Sequence, residues 1–429
     1  MNTKYFKQIW AHLRQDPVVS IISVLGTALS IFLIMLVVML QQVKVAPFSP
    51  ESNRSRILYA QYISISNKKW GDGSSNGPMD VKIAKELYKS LKTPEAVTIY
   101  SVCTIPAVIS IPNSGTITTD ALLTDADFWH VFDFRFIKGK PYDQVSFDAA
   151  IPSIVMAESM ARQLFGNIDI IGKNVEFNYT SYRIVGIVKD VSTLASTAYA
   201  QVWVPYTTTS YINNIWCEVG GSFSTAILAR SRKDFSAIRT ECNQQLAISN
   251  KKLSEKGYKI LSRNRPYDQE KKTITYGANI EPDINADHRQ KIIIFIILLL
   301  VPAINLSSMT QSRLRRRIAE IGIRRAFGST RSKLLKNIIT ESFIVSLLAG
   351  IIGLIFCFAF AYLGTDILFA QPYQSTFCQP TIDTSILMQP ATFLYALGFC
   401  FVLNLLSSLI PAWRASRINI VNALNGKIK

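Results

Sequence analysis

The 429 residues carry 46 Lys and Arg against 29 Asp and Glu, a formal charge of +17, and 49% of them are hydrophobic but only 17% charged. With a mean hydropathy of +0.21, the composition excludes a disordered chain and an ordinary cytosolic enzyme, and six cysteines are too few for a disulfide scaffold. The excess of base alone suits either a nucleic-acid binder or a membrane protein, and its placement decides between them.

Residues 1–17 read as an amphipathic N-terminal helix. Val18–Leu40 has no charge and is predicted to span a bilayer as helix 18–41. Its length exceeds that of a signal-peptide core, so it is read as retained. Three further apolar runs predict spans at 291–310, 338–368 and 391–413. The flanking charges set the orientation. Segments 1–17, 311–337 and 414–429 together hold 16 basic residues against two acids, Asp16 and Glu320, while loop 369–390 has no Lys or Arg. The positive-inside rule puts the basic segments in the cytoplasm, and 42–290 and 369–390 outside. Most of the charge is therefore a topology signal, which argues against nucleic acid as a partner.

The outer region 42–290 reads as α+β. Arg56–Ser66 alternates as a strand, Met79–Lys92 has helical spacing, and Val97–Ile111 is rich in β-formers. Thr225–Arg230 and Tyr258–Ser262 are strand-like, with an amphipathic helix across Asp234–Lys256 between them. These are read as two split β-α-β halves. They flank an inserted β-rich subdomain at about 114–212, with strands expected at Thr116–Leu123, Ser153–Met156, Asn174–Phe177, Tyr182–Val188 and Gln201–Pro205.

No catalytic, cofactor-binding or metal-binding set emerges. The string Gly328-Ser329-Thr330-Arg331-Ser332-Lys333 lacks the second glycine of a phosphate-cradling loop. Gly73-Ser74-Ser75-Asn76-Gly77 matches G-x-S-x-G, but lies in a glycine-rich stretch that reads as a flexible turn. The three histidines are scattered. No predicted span carries an ionisable residue near its middle, which argues against an ion-coupled carrier.

The string Glu320-Ile321-Gly322-Ile323-Arg324-Arg325-Ala326-Phe327-Gly328 is more specific than a basic helix lying on anionic lipid requires. It resembles the segment after the second span in the FtsX/MacB-like ABC transporter permease family. Glu341-Ser342, Gly350 and Gly353 fit the same pattern. Pro411, Ala412, Trp413, Arg414 and Ala415 resemble the family's C-terminal motif, although Ile420 stands where proline is usual. Phe128, Trp129, Phe132, Phe134, Phe136 and Gly139, then Leu164-Phe165-Gly166, Ile171-Gly172-Lys173 and Val185-Gly186-Ile187-Val188, resemble blocks of the MacB-type periplasmic core domain. The aromatic cluster is in any case expected to be core.

The resemblance implies a multi-pass inner-membrane permease of a bacterial cell, non-catalytic, in which 320–328 dock on an ATPase. Only 17 residues precede the first run, so the ATPase is expected to be a separate subunit that binds the ATP. A second permease copy or paralogue, the lipid membrane, and a periplasmic adaptor or outer-membrane protein are the other partners implied. Mechanotransmission for export or efflux is the leading expectation. Lipoprotein release and control of cell-wall hydrolases are sibling roles, and a membrane-anchored sensor or adhesion protein is the alternative.

Overall fold

The computed structural model describes residues 17–111, 115–297 and 326–363, with further helical positions at 300, 304, 323, 394–395, 398, 401–402, 409 and 413. The chain divides into two units, one built around residues 43–285 and the other holding the long apolar helices.

The first helix, α1 (Pro17–Val45), runs past the apolar stretch that nucleates it. Among the described residues its segment Val24–Val45 is the one helix long and apolar enough to cross a membrane, and Leu347–Phe360 is a shorter apolar stretch. The expected spans at 291–310 and 391–413 lie largely outside the described residues.

In the outer unit, Arg56–Ser66 is not one strand. It breaks into β1 (Ile57–Ala60) and β2 (Ile63–Asn67), which join different sheets. The G-x-S-x-G stretch is likewise not a loose turn: Ser74–Gly77 forms β3, paired with β2, and Ser75 sits mid-strand opposite Ile65. Helix α2 (Val81–Ala84) starts where Asp80 accepts a bond from Lys82 N–H, then widens into a π-helical turn, Lys85–Lys89. Its buried face, from Val81 to Leu87 and Tyr88, matches the helical spacing of the sequence.

The strand β4 (Ala96–Ser101) and β5 (Ile105–Ser110) follow. The β-rich middle supplies β6 (Thr116–Thr124), β7 (Phe136–Gly139), β8 (Ser153–Ala157), β9 (Asn174–Phe177), β10 (Thr180–Val188) and β11 (Val202–Pro205). Three short helices punctuate it, α3 (Phe128–Val131), α4 (Gln144–Asp148) and α5 (Glu158–Phe165). Last come β12 (Phe223–Leu228), α6 (Phe235–Ser254), β13 (Tyr258–Leu261) and α7 (Gln269–Thr273). A reciprocal capping box between Ser231 and Asp234 leads into α6.

Ten of these strands form one sheet, ordered β1-β12-β4-β6-β11-β8-β10-β9-β5, with β7 on β10; β13, β2 and β3 form a second. Because β5 also pairs with β6, the strands β6, β11, β8, β10, β9 and β5 close on themselves as a six-stranded barrel. The inserted part therefore begins earlier than about 114, since β5 completes its ring. It is also not a separate body: β6 joins β4 through Tyr100 and Thr124, and one hydrophobic core runs from the barrel into the halves. The halves themselves interleave, with β12 lying between β1 and β4.

The expected aromatic cluster fills the seam between β4 and the barrel. Phe128 and Phe132 pack on Tyr100 of β4, and Trp129 and Phe134 pack on Trp203 of β11, with ring centroids 5.2–6.3 Å apart. Gly139 has φ +67°, and a Cβ there would lie 2.2 Å from the Val185 carbonyl, so only glycine lets β7 close on β10.

Residues 284–297 are helical (α8), and in the other unit α9 (Arg331–Leu363) follows the turn at 327–330. Helices α1 and α9 meet closely. A Cβ at Gly353 would lie 2.8 Å from the Ala28 carbonyl, and Phe32 stacks edge-on against Phe360 at 5.6 Å. A small residue at a helix crossing is what apolar surroundings favour, since close backbone approach replaces the hydrophobic drive.

Candidate functional site

The site expected at 320–328 is described only in part. Glu320, Ile321, Gly322, Arg324 and Arg325 lie outside the described residues, as do Pro411, Ala412, Arg414 and Ala415. Ile323 and Ala326 are helical and exposed. Phe327 N–H donates to the Ile323 carbonyl at 3.0 Å, closing the last turn. Gly328 follows with φ +85° and nothing within 4 Å of the place a Cβ would take. This left-handed glycine ends the helix, and the Thr330 hydroxyl then accepts from Lys333 N–H to start α9. Phe327 is left 88% exposed at the tip of this turn. Among the described residues nothing covers it.

A second site, not anticipated from the sequence, lies within the outer unit, around its first residues Val43–Ala46. The last carbonyls of a helix have no intrahelical partner. Here Arg54 Nη1 donates to the carbonyls of Val43 and Ala46 at 2.9 and 3.0 Å, and Gln269 Nε2 of α7 donates to that of Lys44 at 2.7 Å. A guanidinium is well suited to this position, because a cation at a helix C-terminus also complements the dipole. Arg54 reaches further, to the Leu194 carbonyl at 3.0 Å and to Glu51 Oε2 through Nε at 2.7 Å, while its plane lies 4.1 Å from the Phe48 ring.

Glu51 and Arg54 are 0% and 2% exposed. Burying a carboxylate that deeply is costly unless every lone pair is used. Glu51 meets that demand: its other oxygen accepts from the N–H groups of Thr197 and Ala198 at 2.8 and 3.1 Å. Lys272 adds a second cation. It bonds the Thr197 hydroxyl, and its Nζ stands 4.0 Å from the centre of the Tyr59 ring. Burial works to raise the Glu51 pKa, but the charges of Arg54 and Lys272 and these hydrogen bonds prevail and hold it below the ordinary range. Burial pushes Lys272 down to about 8, against the pull of Glu51. Backbone bonds between Tyr59 and Tyr267, in both directions, fix the α7 segment to β1.

The cluster thus ties together four stretches far apart in sequence: the end of α1, the turn at 51–54, the loop at 194–198 between β10 and β11, and α7. In sequence these residues look like ordinary surface charges. The one available signal is the position of Glu51 and Arg54 a few residues beyond an apolar span, where helix-end carbonyls need donors.

The described residues thus hold an apolar helix of spanning length and a large α/β unit. The MacB-like periplasmic core domain family matches residues 20–245, and the FtsX-like permease C-terminal family matches 292–420. The chain belongs to this family of ABC transporter permeases, which places a core domain in the periplasm and the permease in the inner membrane. The macrolide export ATP-binding/permease protein MacB of Escherichia coli (strain K12) is 24% identical over 319 residues, covering 73% of this chain and 44% of the relative. The protein of the same name from Escherichia coli O157:H7 is equally similar. The chain therefore spans less than half the length of these curated relatives. Among solved structures, the periplasmic region of MacB from Actinobacillus actinomycetemcomitans aligns with 47% of this chain and 88% of its own, at 17% identity and a TM-score of 0.32. The extracellular domain of the transporter YknZ from Gram-positive bacteria aligns at 12% identity, covering 47% of this chain and 100% of its own, with a TM-score of 0.33.

Proposed function

We propose that this chain is the non-catalytic permease subunit of an ABC transporter and works by mechanotransmission. Four helices cross the inner membrane, with both termini in the cytoplasm. Two permeases, identical or paralogous, pair with separate ATPase subunits that bind the ATP. Residues 320–328 dock on the ATPase, with Phe327 as the exposed anchor, and the core domains above the membrane move in response. Export or efflux of a periplasmic substrate is the leading role, with lipoprotein release and control of cell-wall hydrolases as its siblings.

One observation carries this reading. The end of α1 is held by Arg54 and Gln269, and the same Arg54 is bonded to the 194–198 loop. On this reading a pull on the segment Val43–Ala46 loads the 194–198 loop and the Gln269 segment at once, whereas a passive anchor needs only a covalent link. The test uses a spin label at Val145, which is 75% exposed on α4, in full-length permease with its ATPase in nanodiscs. The distance between labels on paired copies should change on adding ATP, and Arg54→Met should abolish the change while ATP turnover persists. An unchanged distance in the wild type under turnover would sink the reading.

A further inference from the structure

A groove of about 530 Å³ lies between α6 and the three-stranded sheet, walled by Lys68, Lys251 and Lys259 with Asn250, Ser254 and Tyr258. That is the size of a ligand pocket. None of the three lysines makes an ion pair among the described residues, whereas their neighbours Lys252 and Lys256 are paired with Glu86 and Glu218. Glu255 is the one acid in 247–259 and is not part of the wall. The groove is thus a concentrated positive field with no internal counter-charge.

Its backbone is also incomplete. Strand β13 is the edge of its sheet, pairing with β2 alone. The outward peptide groups of Ile260 are capped by Asn250, whose Oδ1 accepts at 2.7 Å and whose Nδ2 donates at 3.0 Å. Peptide groups alternate along a strand, so those of Tyr258, two residues earlier, face the same side. Lys68 N–H donating to the Gly257 carbonyl fixes that register. Asn250 serves as a one-residue mimic of a neighbouring strand, and Tyr258 is left as the place where a real one can pair. Trp70 stands edge-on to the Tyr258 ring at 6.0 Å and is 43% exposed, offering an apolar surface beside the charges.

We propose that this groove binds an acidic peptide segment in extended conformation. Its backbone pairs with Tyr258, its carboxylates meet Lys68, Lys251 and Lys259, and an apolar side chain lies on Trp70. The inference is independent of the coupling role, because binding is read without ATP. The test is fluorescence anisotropy of a labelled peptide of alternating Glu and Val, with the full chain in nanodiscs of uncharged lipid. The K68E/K251E/K259E variant should bind at least about tenfold more weakly, and the matching triple Arg variant should bind as wild type. Affinity should fall between about 50 and about 300 mM salt. N-methylation of the peptide's central residue should cost a similar factor. Unchanged binding by the Glu variant overturns the site, and tolerance of N-methylation overturns the backbone pairing. Displacement of the peptide by equimolar inorganic phosphate or free glutamate would reduce the groove to a simple anion site and overturn the proposal.

Discussion

Two turns of the chain, 51–54 and 327–330, are built in opposite ways. At the first, every charge is answered: Glu51 uses both oxygens, Arg54 spans four acceptors, and neither is more than 2% exposed. At the turn between residues 323 and 330, an aromatic ring is held in the open beside a glycine with empty space around it. The first is a cluster whose polar groups are satisfied within one chain. The second is the turn proposed above to dock on an ATPase, and the contrast sets a cluster satisfied within the chain against one that the proposal completes with a partner.

The sharpest break in this contrast is Arg54→Met. It leaves Glu51 buried without its main counter-charge, and losing one partner of a buried pair costs about 3–5 kcal/mol. Chemical unfolding of the permease in nanodiscs should show that loss, and Glu51→Gln added to it should restore part. Equal stability of the single variant and the wild type would mean that the cluster is not closed. Gly353→Leu comes next. Its side chain meets the Ala28 carbonyl and Ile31, and overpacking of this kind costs about 1–3 kcal/mol, read as a lower unfolding midpoint with Phe32 and Phe360 separated.

A subtler effect should appear at Lys272. Its pKa is lowered to about 8 in the folded protein, against about 10.4 unfolded. Between these values the unfolded chain binds the extra proton, so stability rises with pH there. The wild type should therefore gain on Lys272→Met as pH climbs from about 8 to about 10, and parallel profiles would show that Lys272 is not buried as described. Least of all should change with Phe327→Ser, within about 0.5 kcal/mol of wild-type stability, while copurified ATPase drops several-fold. A stability loss above 1–2 kcal/mol with normal recruitment would mean that Phe327 packs internally.

Local structure was largely legible. The alternation in Thr116–Leu123 and Tyr182–Val188 depends on neighbours a few residues away, and those strands stand where they were expected, while the helix expected over Met79–Lys92 is shorter, ending at Lys89 before Leu91. Closure of the barrel was not, because it rests on β5 pairing with β6 and with β9, some 65 residues further on. Glu51 and Lys272 lie 221 positions apart, and no local pattern marks two such charges as neighbours. The Ser74–Gly77 stretch misled because glycine and serine favour turns in isolation, while pairing with β2 imposes a strand.

The position of β12 has a consequence for synthesis. Strands β1 and β4 never touch; each is zipped to β12, which is made more than 120 residues after β4. The barrel strands, all complete by Pro205, have their partners among themselves. As the chain emerges across the membrane, the barrel can therefore close while the earlier β1 and β4 still wait with open edges, which exposes them to mispairing until Phe223–Leu228 arrives. In nascent chains halted before Phe223, limited proteolysis should cut at β1 and β4 and spare the barrel. Protection of β1 at that length would show that another segment shields it during export.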